Sequence, residues 1–317
     1  MAGFSTGNNQ HLIRSALWSS QIKEVLEDEL MGMKYVDMIT DFPDGDTINI
    51  PSIGQAEVLD YLEGQAIRYT AMDTGNFTFS ITEYKQSATY ITEKMKQDSF
   101  YMSRLVSSFV PKQARAIAKA MEVDVLSVGP NGQTASNLNL INGGAHRFVA
   151  SGTNETISPL DFAKARYALQ KANVPMTNLV AILDPSAEYA LSTTTNLVNL
   201  SSNPGWEGIV KTGMSTGMKY ITTIYGFDVY TSQNLKHNIA ETINGKSTTV
   251  GAANLFFSAA PDVLPFVGNV RQAPKVDSDY NKDLQREEYV TTARYGFKLF
   301  RPENLVVVLS DTDQVSA

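Results

Sequence analysis

Cysteine is absent from the 317-residue chain, which excludes a disulfide framework, a zinc finger, an iron–sulfur site and a cysteine nucleophile. Charge is scarce too: 19% of residues are Asp, Glu, Lys or Arg, below the ~25% of ordinary globular chains. Thirty-three acids against 26 bases leave a net charge of −7. That balance argues against tight, sequence-independent nucleic-acid binding, which needs Lys and Arg to neutralise phosphates. The three histidines, His11, His146 and His237, stand far apart without companion ligands. They read as surface or loop residues, and no metal site is expected. No apolar run approaches the ~20 residues of a membrane helix, and Met1 to Ser20 lacks the pattern of a secretory signal. No membrane partner is expected. What the chain does have is 43% apolar residues, enough for a sizeable core. Few charges over such a core imply a neutral polar surface, or a surface hidden against partners.

The N-terminal residues up to Gln10 are Gly, Ser, Thr and Asn with little to bury, as in a tail. Ile22, Val25, Leu26 and Leu30 are spaced as in a helix over Trp18 to Met31. After the turn cluster Phe42-Pro43-Asp44-Gly45-Asp46 the period changes to two. Ile48 and Ile50 share a face, and Phe77, Phe79 and Ile81 alternate with Thr78, Ser80 and Thr82. Some twenty irregular residues separate these strands, so the segment from Asp46 to Thr92 reads as a two-stranded extension that needs a neighbour to bury its apolar residues.

The strongest helical signal follows. Met102, Leu105, Val106, Phe109, Gln113, Ala116, Ile117 and Ala120 form one face, and Lys112, Arg115, Lys119 and Glu122 lie on the other. Asp98 or Ser99 caps the start, Pro111 predicts a kink or short break, and Gly129-Pro130-Asn131-Gly132 predicts the end. Asn137 to Gly152 reads as loop. Ser158-Pro159-Leu160-Asp161 opens a second helix with a capping box, its buried face assigned to Leu160, Ala163, Tyr167 and Ala168. Leu179 to Leu183 is a short apolar strand, and Asp184-Pro185-Ser186 starts another helix. Strands are expected at Tyr220 to Thr231 (with a turn at Gly226), Leu255 to Phe257, Tyr289 to Arg301 and Leu305 to Leu309, the last a central one. Helix–strand–helix order implies an α/β layer inside an α+β chain.

Three motif matches fail on their own chemistry. Ala240 to Ser247 loosely fits a phosphate loop around Lys246. It lacks the preceding buried strand and the following helix whose amides would hold phosphate, and Asn244-Gly245 is a better hairpin turn. Gly213-Met214-Ser215-Thr216-Gly217 fits a nucleophile elbow, but the residues after it favour strand over helix. Asp277, Asp279, Asn281, Asp283 and Glu288 have calcium-loop spacing, yet Lys282 stands where the turn requires Gly. A solvated acidic turn at 277–288 is expected instead. No catalytic residue and no cofactor are assigned.

In this order of elements the chain resembles the major capsid proteins of tailed bacteriophages, the Hong Kong 97-type fold. Glu63-Gly64 with Phe77-Thr78-Phe79 resembles the family's extended loop, and Lys85 to Lys96 its return strand. Asp98 to Val128 resembles the spine helix, and Val180 to Pro185 the strand-to-helix step of the axial domain. Gly226 to Ser232 resembles a family strand with Asp228 where Pro is common, and Asp277 to Pro302 the acidic segment, long strand and Arg-Pro turn. The resemblance implies an N-terminal arm (1–45), an extended loop (46–92), a peripheral domain (93–155 and 252–317, with spine helix 98–128) and an axial domain (156–251).

It further implies self-assembly as hexamers and pentamers into an icosahedral head around double-stranded DNA, which is held without sequence-specific binding. A separate scaffolding protein, a portal and a decoration protein are the other partners it implies. The location implied is the virion, after assembly in the host cytoplasm. Leu59, Tyr61, Leu62, Phe79 and Trp206 are the candidate inter-subunit contacts. The loop from Ser192 to Gly217, rich in hydroxyls and amides, is expected to meet its copies around the capsomer axis. An encapsulin-like compartment shell is the alternative, and a nucleotide-binding enzyme using the Lys246 loop the remote one.

Overall fold

The computed structural model describes residues 30–40, 45, 47–53, 59–60, 63–64, 66, 74–98, 102–193 and 220–312. Nearly all of the expected N-terminal helix and of the 192–217 loop fall outside them, as does the Gly213–Gly217 match. In chain order come β1 (Val36–Met38), β2 (Thr47–Ile53), β3 (Thr74–Ser80), β4 (Glu83–Thr92), α1 (Glu93–Asp98) and α2 (Met102–Gly132). Next are β5 (Leu140–Ile141), β6 (Gly144–Ala145), β7 (Arg147–Val149), α3 (Pro159–Lys171), β8 (Leu179–Leu183) and α4 (Pro185–Ser192). The rest is β: β9 (Tyr220–Ile224), β10 (Phe227–Thr231), β11 (Ile239–Ile243), β12 (Lys246–Ser258), β13 (Phe266–Asn281), β14 (Arg286–Leu299) and β15 (Val306–Asp311).

One sheet has seven strands in the order β7-β15-β12-β8-β10-β9, with β11 also on β12. Its central strands are apolar at every position because both faces are covered. Leu179, Ala181 and Leu183 pack with Phe162, Leu169 and Phe227 on one side. Val180 and Ile182 pack with Val125, Leu126 and Phe257 on the other. β15 lies between β7 and β12, as its uninterrupted apolar run requires. The domain limits expected at 155/156 and 251/252 cut through this sheet, which takes β7, part of β12 and β15 from segments assigned to the peripheral domain. The short β7, hidden in a segment read as loop, is its outermost strand and runs parallel to β15.

The second sheet has the order β1-β13-β14-β4. Helix α2 covers one face: Ile117 and Met121 pack on Ala293 and Tyr295, Thr291 Oγ1 donates to Gln113 at 3.0 Å, and the Tyr295 hydroxyl donates to Asp124 at 2.7 Å. That buried hydrogen bond and the loss of solvent raise the Tyr295 pKa, burial contributing most.

α2 departs from expectation in three ways. It runs through Pro111 as one element, Met102–Gly132. Ala116, assigned to the buried face, is exposed. The helix does end at Gly132, within the expected stop; a Cβ on Gly129 would meet Leu305 at 2.9 Å, and one on Gly132 would meet Leu299 at 2.8 Å. These glycines let the last turns approach β14 and β15 closely. Glu122, assigned to the solvent face, is fully buried. Its carboxylate accepts from Met31 N at 3.0 Å and Gly32 N at 2.7 and 2.8 Å, tying the entering chain to the helix.

α3 begins as its sequence requires, with Ser158 N donating to Asp161 at 2.9 Å. The buried face is Phe162, Ala165, Ala168 and Leu169, whereas Leu160 and Tyr167 are 56% and 53% exposed. The reason is Asp161, which is drawn inside to accept Ser151 N at 3.0 Å on both oxygens. Each residue turns the helix by about 100°, so burying position 161 carries positions 160 and 167 outward.

Candidate assembly surfaces

A two-stranded ribbon is marginal in water, so the extended loop has to be held at its root. β2 and β3 pair antiparallel, with Ile48 opposite Phe79 and Ile50 opposite Phe77. Phe79 is fully buried in a cluster with Ile81 and Val267. Phe77 meets Phe300 edge-on at 4.9 Å, and Lys298 donates to Thr78 O at 2.7 Å. Phe79 is thus an anchor within its own chain; its alternation in β3 points it toward β13. Leu59, beyond the ribbon, is 41% exposed. Tyr61, Leu62 and Trp206 lie outside the described residues.

The four-stranded sheet presents a second surface. β4 is its edge strand, pairing only with β14 among the described residues. Alternation sends Tyr84, Gln86, Ala88 and Tyr90 to the face opposite α2, where all four are exposed. No charge lies on that face of β4. Arg286 stacks over Tyr90 at 4.6 Å. The β13–β14 hairpin turn, which β4 reaches with Thr92 opposite Arg286, carries exposed Tyr280 and Leu284. Here the acidic segment has a definite shape: Asp277 pairs across from Val290 and Asp279 from Glu288, and Asn281 accepts from the amides of Asp283 and Leu284 in the turn. Its charges have local partners, Lys275 with Asp277 at 2.8 Å and Arg286 with Glu288 at 2.6 Å. Lys96 pairs with Glu287, and its bond, with that from Tyr289, lowers the Glu287 pKa.

A third surface is a cleft of about 370 Å³ beside α3, lined by Leu138, Ala145, Phe148, Tyr167 and Ile243 with Lys164 and Lys246. Lys246 follows the turn Asn244-Gly245, both residues at positive φ, between antiparallel β11 and β12. This is the expected hairpin. Strand follows Lys246, so no helix terminus aims amides at a phosphate, and its ammonium donates to Ala150 O at 3.1 Å.

Behind the cleft lies a pair that sequence spacing could not reveal, because its members are 94 residues apart. Arg147, 1% exposed, donates to both carboxylate oxygens of Glu241 at 2.7 and 3.0 Å and to Pro130 O at 3.1 Å. It thereby joins the end of α2, β7 and β11. Burial opposes the Glu241 charge, but the Arg147 bonds and Ser136 N outweigh it and leave the carboxyl below its ordinary pKa. His146, read as a surface or loop residue, lies in the bend between β6 and β7 but is fully buried, its ring nitrogens 3.0 and 3.1 Å from the carbonyls of Gly144 and Glu303. Burial lowers its pKa. His237 does sit near the surface, 3.6 Å from Asp184. Among the described residues no group of His, Asp and Glu is arranged to hold a metal, and no helix is long and apolar enough to cross a membrane.

Neither a family model nor a curated protein matches the sequence. Solved structures do. The capsid structure of Cyanophage P-SCSP1u superposes with a TM-score of 0.71 at 14% identity, over 97% of this chain and 94% of that one. A Mycobacterium phage Che8 structure gives 0.69 at 16% identity, over 94% and 97%. The capsid of Ralstonia phage GP4 gives 0.66 at 11% identity, over 98% of both. The chain has the phage capsid fold of the Hong Kong 97 type. The ribbon β2–β3 falls within the residues 46–92 expected for the extended loop, and α2 overlaps the residues 98–128 expected for the spine helix.

Proposed function

We propose that this chain is the major capsid protein of a tailed phage, assembling as hexamers and pentamers into an icosahedral head around double-stranded DNA. The observation that carries this reading is the extent of the likeness: phage capsid structures match over nearly the full length of both chains. Strand β4 supports it independently, since its outward residues Tyr84, Gln86, Ala88 and Tyr90 form an exposed strip with two large aromatic side chains that a partner can cover. The role is structural and non-enzymatic. The hydroxyl- and amide-rich 194–217 stretch meets its copies around five-fold and six-fold axes, and its neutral groups re-pair in both settings. Scaffold, portal and decoration proteins are separate chains, and packaged DNA is enclosed without base recognition. The mature location is the virion, and assembly takes place in the host cytoplasm. The test is expression of the full chain, with and without a co-expressed scaffold, followed by electron microscopy. Closed shells of uniform diameter are expected. Small soluble species alone, under every condition, would overturn the reading.

A further inference from the structure

β7 is the outermost strand of the seven-stranded sheet, and it is short. Its three residues, Arg147–Val149, pair in parallel with Val307–Leu309, and the two-residue strands β5 and β6 lead into it. The turn between those strands, Asn142-Gly143, is exposed, with both residues at positive φ. Two ionisable side chains fix this segment at its base. The His146 ring lies between the carbonyls of Gly144, in β6, and Glu303, in the turn before β15. The Arg147 guanidinium holds Glu241 of β11. Asn304 keeps the Glu303 turn in place by bonding both ways to the backbone of Ser258 in β12.

Neither contact suits acid. A neutral imidazole carries one N–H, so only one of the two carbonyls receives a proton. A charged ring would serve both, but without water, since His146 is fully buried. Few charged groups surround it. Glu303, exposed on its turn, favours the charged ring through space. Arg147 is engaged by Glu241, and Lys171 of α3 backs Gly144 with its Cβ while its ammonium lies over Tyr167. Arg147 and Lys236 attract the Glu241 charge, and Lys246, on the next strand, is bonded to Ala150 O. We propose that His146 and the Arg147–Glu241 pair form a two-step acid latch, which opens the β5–β7 segment while the rest of the sheet stays folded. Opening lifts Gly144 away, hydrates the ring and carries off Ala145 and Phe148, which line the cleft beside α3. The order of the steps follows from their signs. Loss of water outweighs the two carbonyls and holds His146 below its ordinary value of 6.5, so the closed state loses ground as pH falls through that value. The Glu241 contribution goes at lower pH, where its carboxylate is protonated. The latch needs no partner chain.

The test is amide hydrogen exchange on the full, unassembled chain from about pH 7.5 to about pH 4, corrected for the intrinsic exchange rate. At neutral pH residues 133–150 are expected to exchange faster than β8 and without response to low urea, because a local opening exposes little surface. Their protection should then fall about tenfold by about pH 5.5, the most that one proton contributes a unit below the ordinary histidine value. The chain has three histidines, so His11→Gln with His237→Gln leaves His146 alone and should keep this step. His146→Gln should abolish it. Glu241→Gln should speed exchange of 133–150 at neutral pH, keep the histidine step and remove a second fall in the carboxylate range. A flat wild-type profile, a step lost in the double variant or retained in folded His146→Gln, or a second fall that survives Glu241→Gln overturns the latch. So does exchange of 133–150 at the rate and urea response of β8, which would make the opening global. If His146→Gln does not fold, the wild-type and double-variant profiles decide.

Discussion

The two large sheets are finished to different degrees. The seven-stranded sheet is closed on both faces by its own chain: α3 and α4 on one side, α2 and the segment entering it on the other. The four-stranded sheet is covered by α2 on one face, whereas on the other the ribbon root with Phe79 and Ile81 covers only the Val267 end and leaves the tyrosines of β4 exposed. The first sheet therefore carries the stability of the isolated subunit, and the second carries surface held for neighbours. Substitutions in one should unfold the subunit, whereas substitutions in the other should leave it folded and fail it in assembly.

The largest effect is expected at Phe257, fully buried in the seven-stranded sheet between Tyr35 and Phe266. Phe257→Ala should cost about 3–5 kcal/mol from lost transfer energy and the cavity left behind, seen as a fall in the denaturant midpoint of the dissociated subunit. Retention of the wild-type midpoint would break the comparison at once.

Next is the pair that joins that sheet to the end of α2. Glu241→Gln leaves the buried Arg147 charge without its carboxylate and should cost about 3 kcal/mol at neutral pH. The pH dependence has a definite sign. The folded Glu241 pKa lies below the unfolded one, so the contribution is complete above the ordinary carboxylate range and is lost as pH falls through the lowered value. The gap between wild type and Glu241→Gln should then narrow on acidification, because protonated Glu resembles Gln. A gap that widens toward acid would contradict the assignment.

A smaller effect is expected at Gly245, whose φ of +78° the hairpin turn requires. Nothing crowds a Cβ there, so Gly245→Ala reports backbone strain alone, about 1 kcal/mol in the same unfolding experiment.

What the sequence revealed and what it hid divide along physical lines. Local patterns were legible. The all-apolar run Leu179–Leu183 emerged as a doubly covered strand, Ser158-Pro159-Leu160-Asp161 as a helix start, Asn244-Gly245 as a hairpin turn, and Asp184-Pro185 as a cap with Ser186 N bonding the carboxylate at 2.9 Å. Errors arose wherever a distant backbone group captured a polar side chain. Glu122 looked like a solvent-facing helix residue until Met31 N and Gly32 N claimed it. Asp161, taken inside by Ser151 N, turned Leu160 and Tyr167 out. His146 and Arg147 are in the core because carbonyls and Glu241, remote in sequence, supply their partners. Gly129 and Gly132 mark the end of α2 as read, and their lack of a side chain also serves close packing. Of the candidate contacts, Leu59 was legible as an exposed apolar residue in an irregular loop. Phe79 was not, because period two gives the face of a strand without saying which chain covers it.

The smallest stability effect is the one that sharpens the comparison most. Tyr84 and Tyr90, 61% and 59% exposed on β4, have little to lose in the isolated subunit. Replacing both by Ser should change its unfolding free energy by no more than about 0.5 kcal/mol. In assembly the same change removes the two largest side chains from the outward strip of β4, and aromatic side chains supply much of the binding energy at protein interfaces. The expected result is a subunit with wild-type melting behaviour that no longer sediments as shells at concentrations where the unmodified chain does. Arg286, stacked on Tyr90, should then become more mobile, while Tyr295 and Asp124 on the covered face keep their hydrogen bond. If the double variant assembles normally, the open face of β4 is solvent in the particle as well. The four-stranded sheet would then need another explanation for its missing cover.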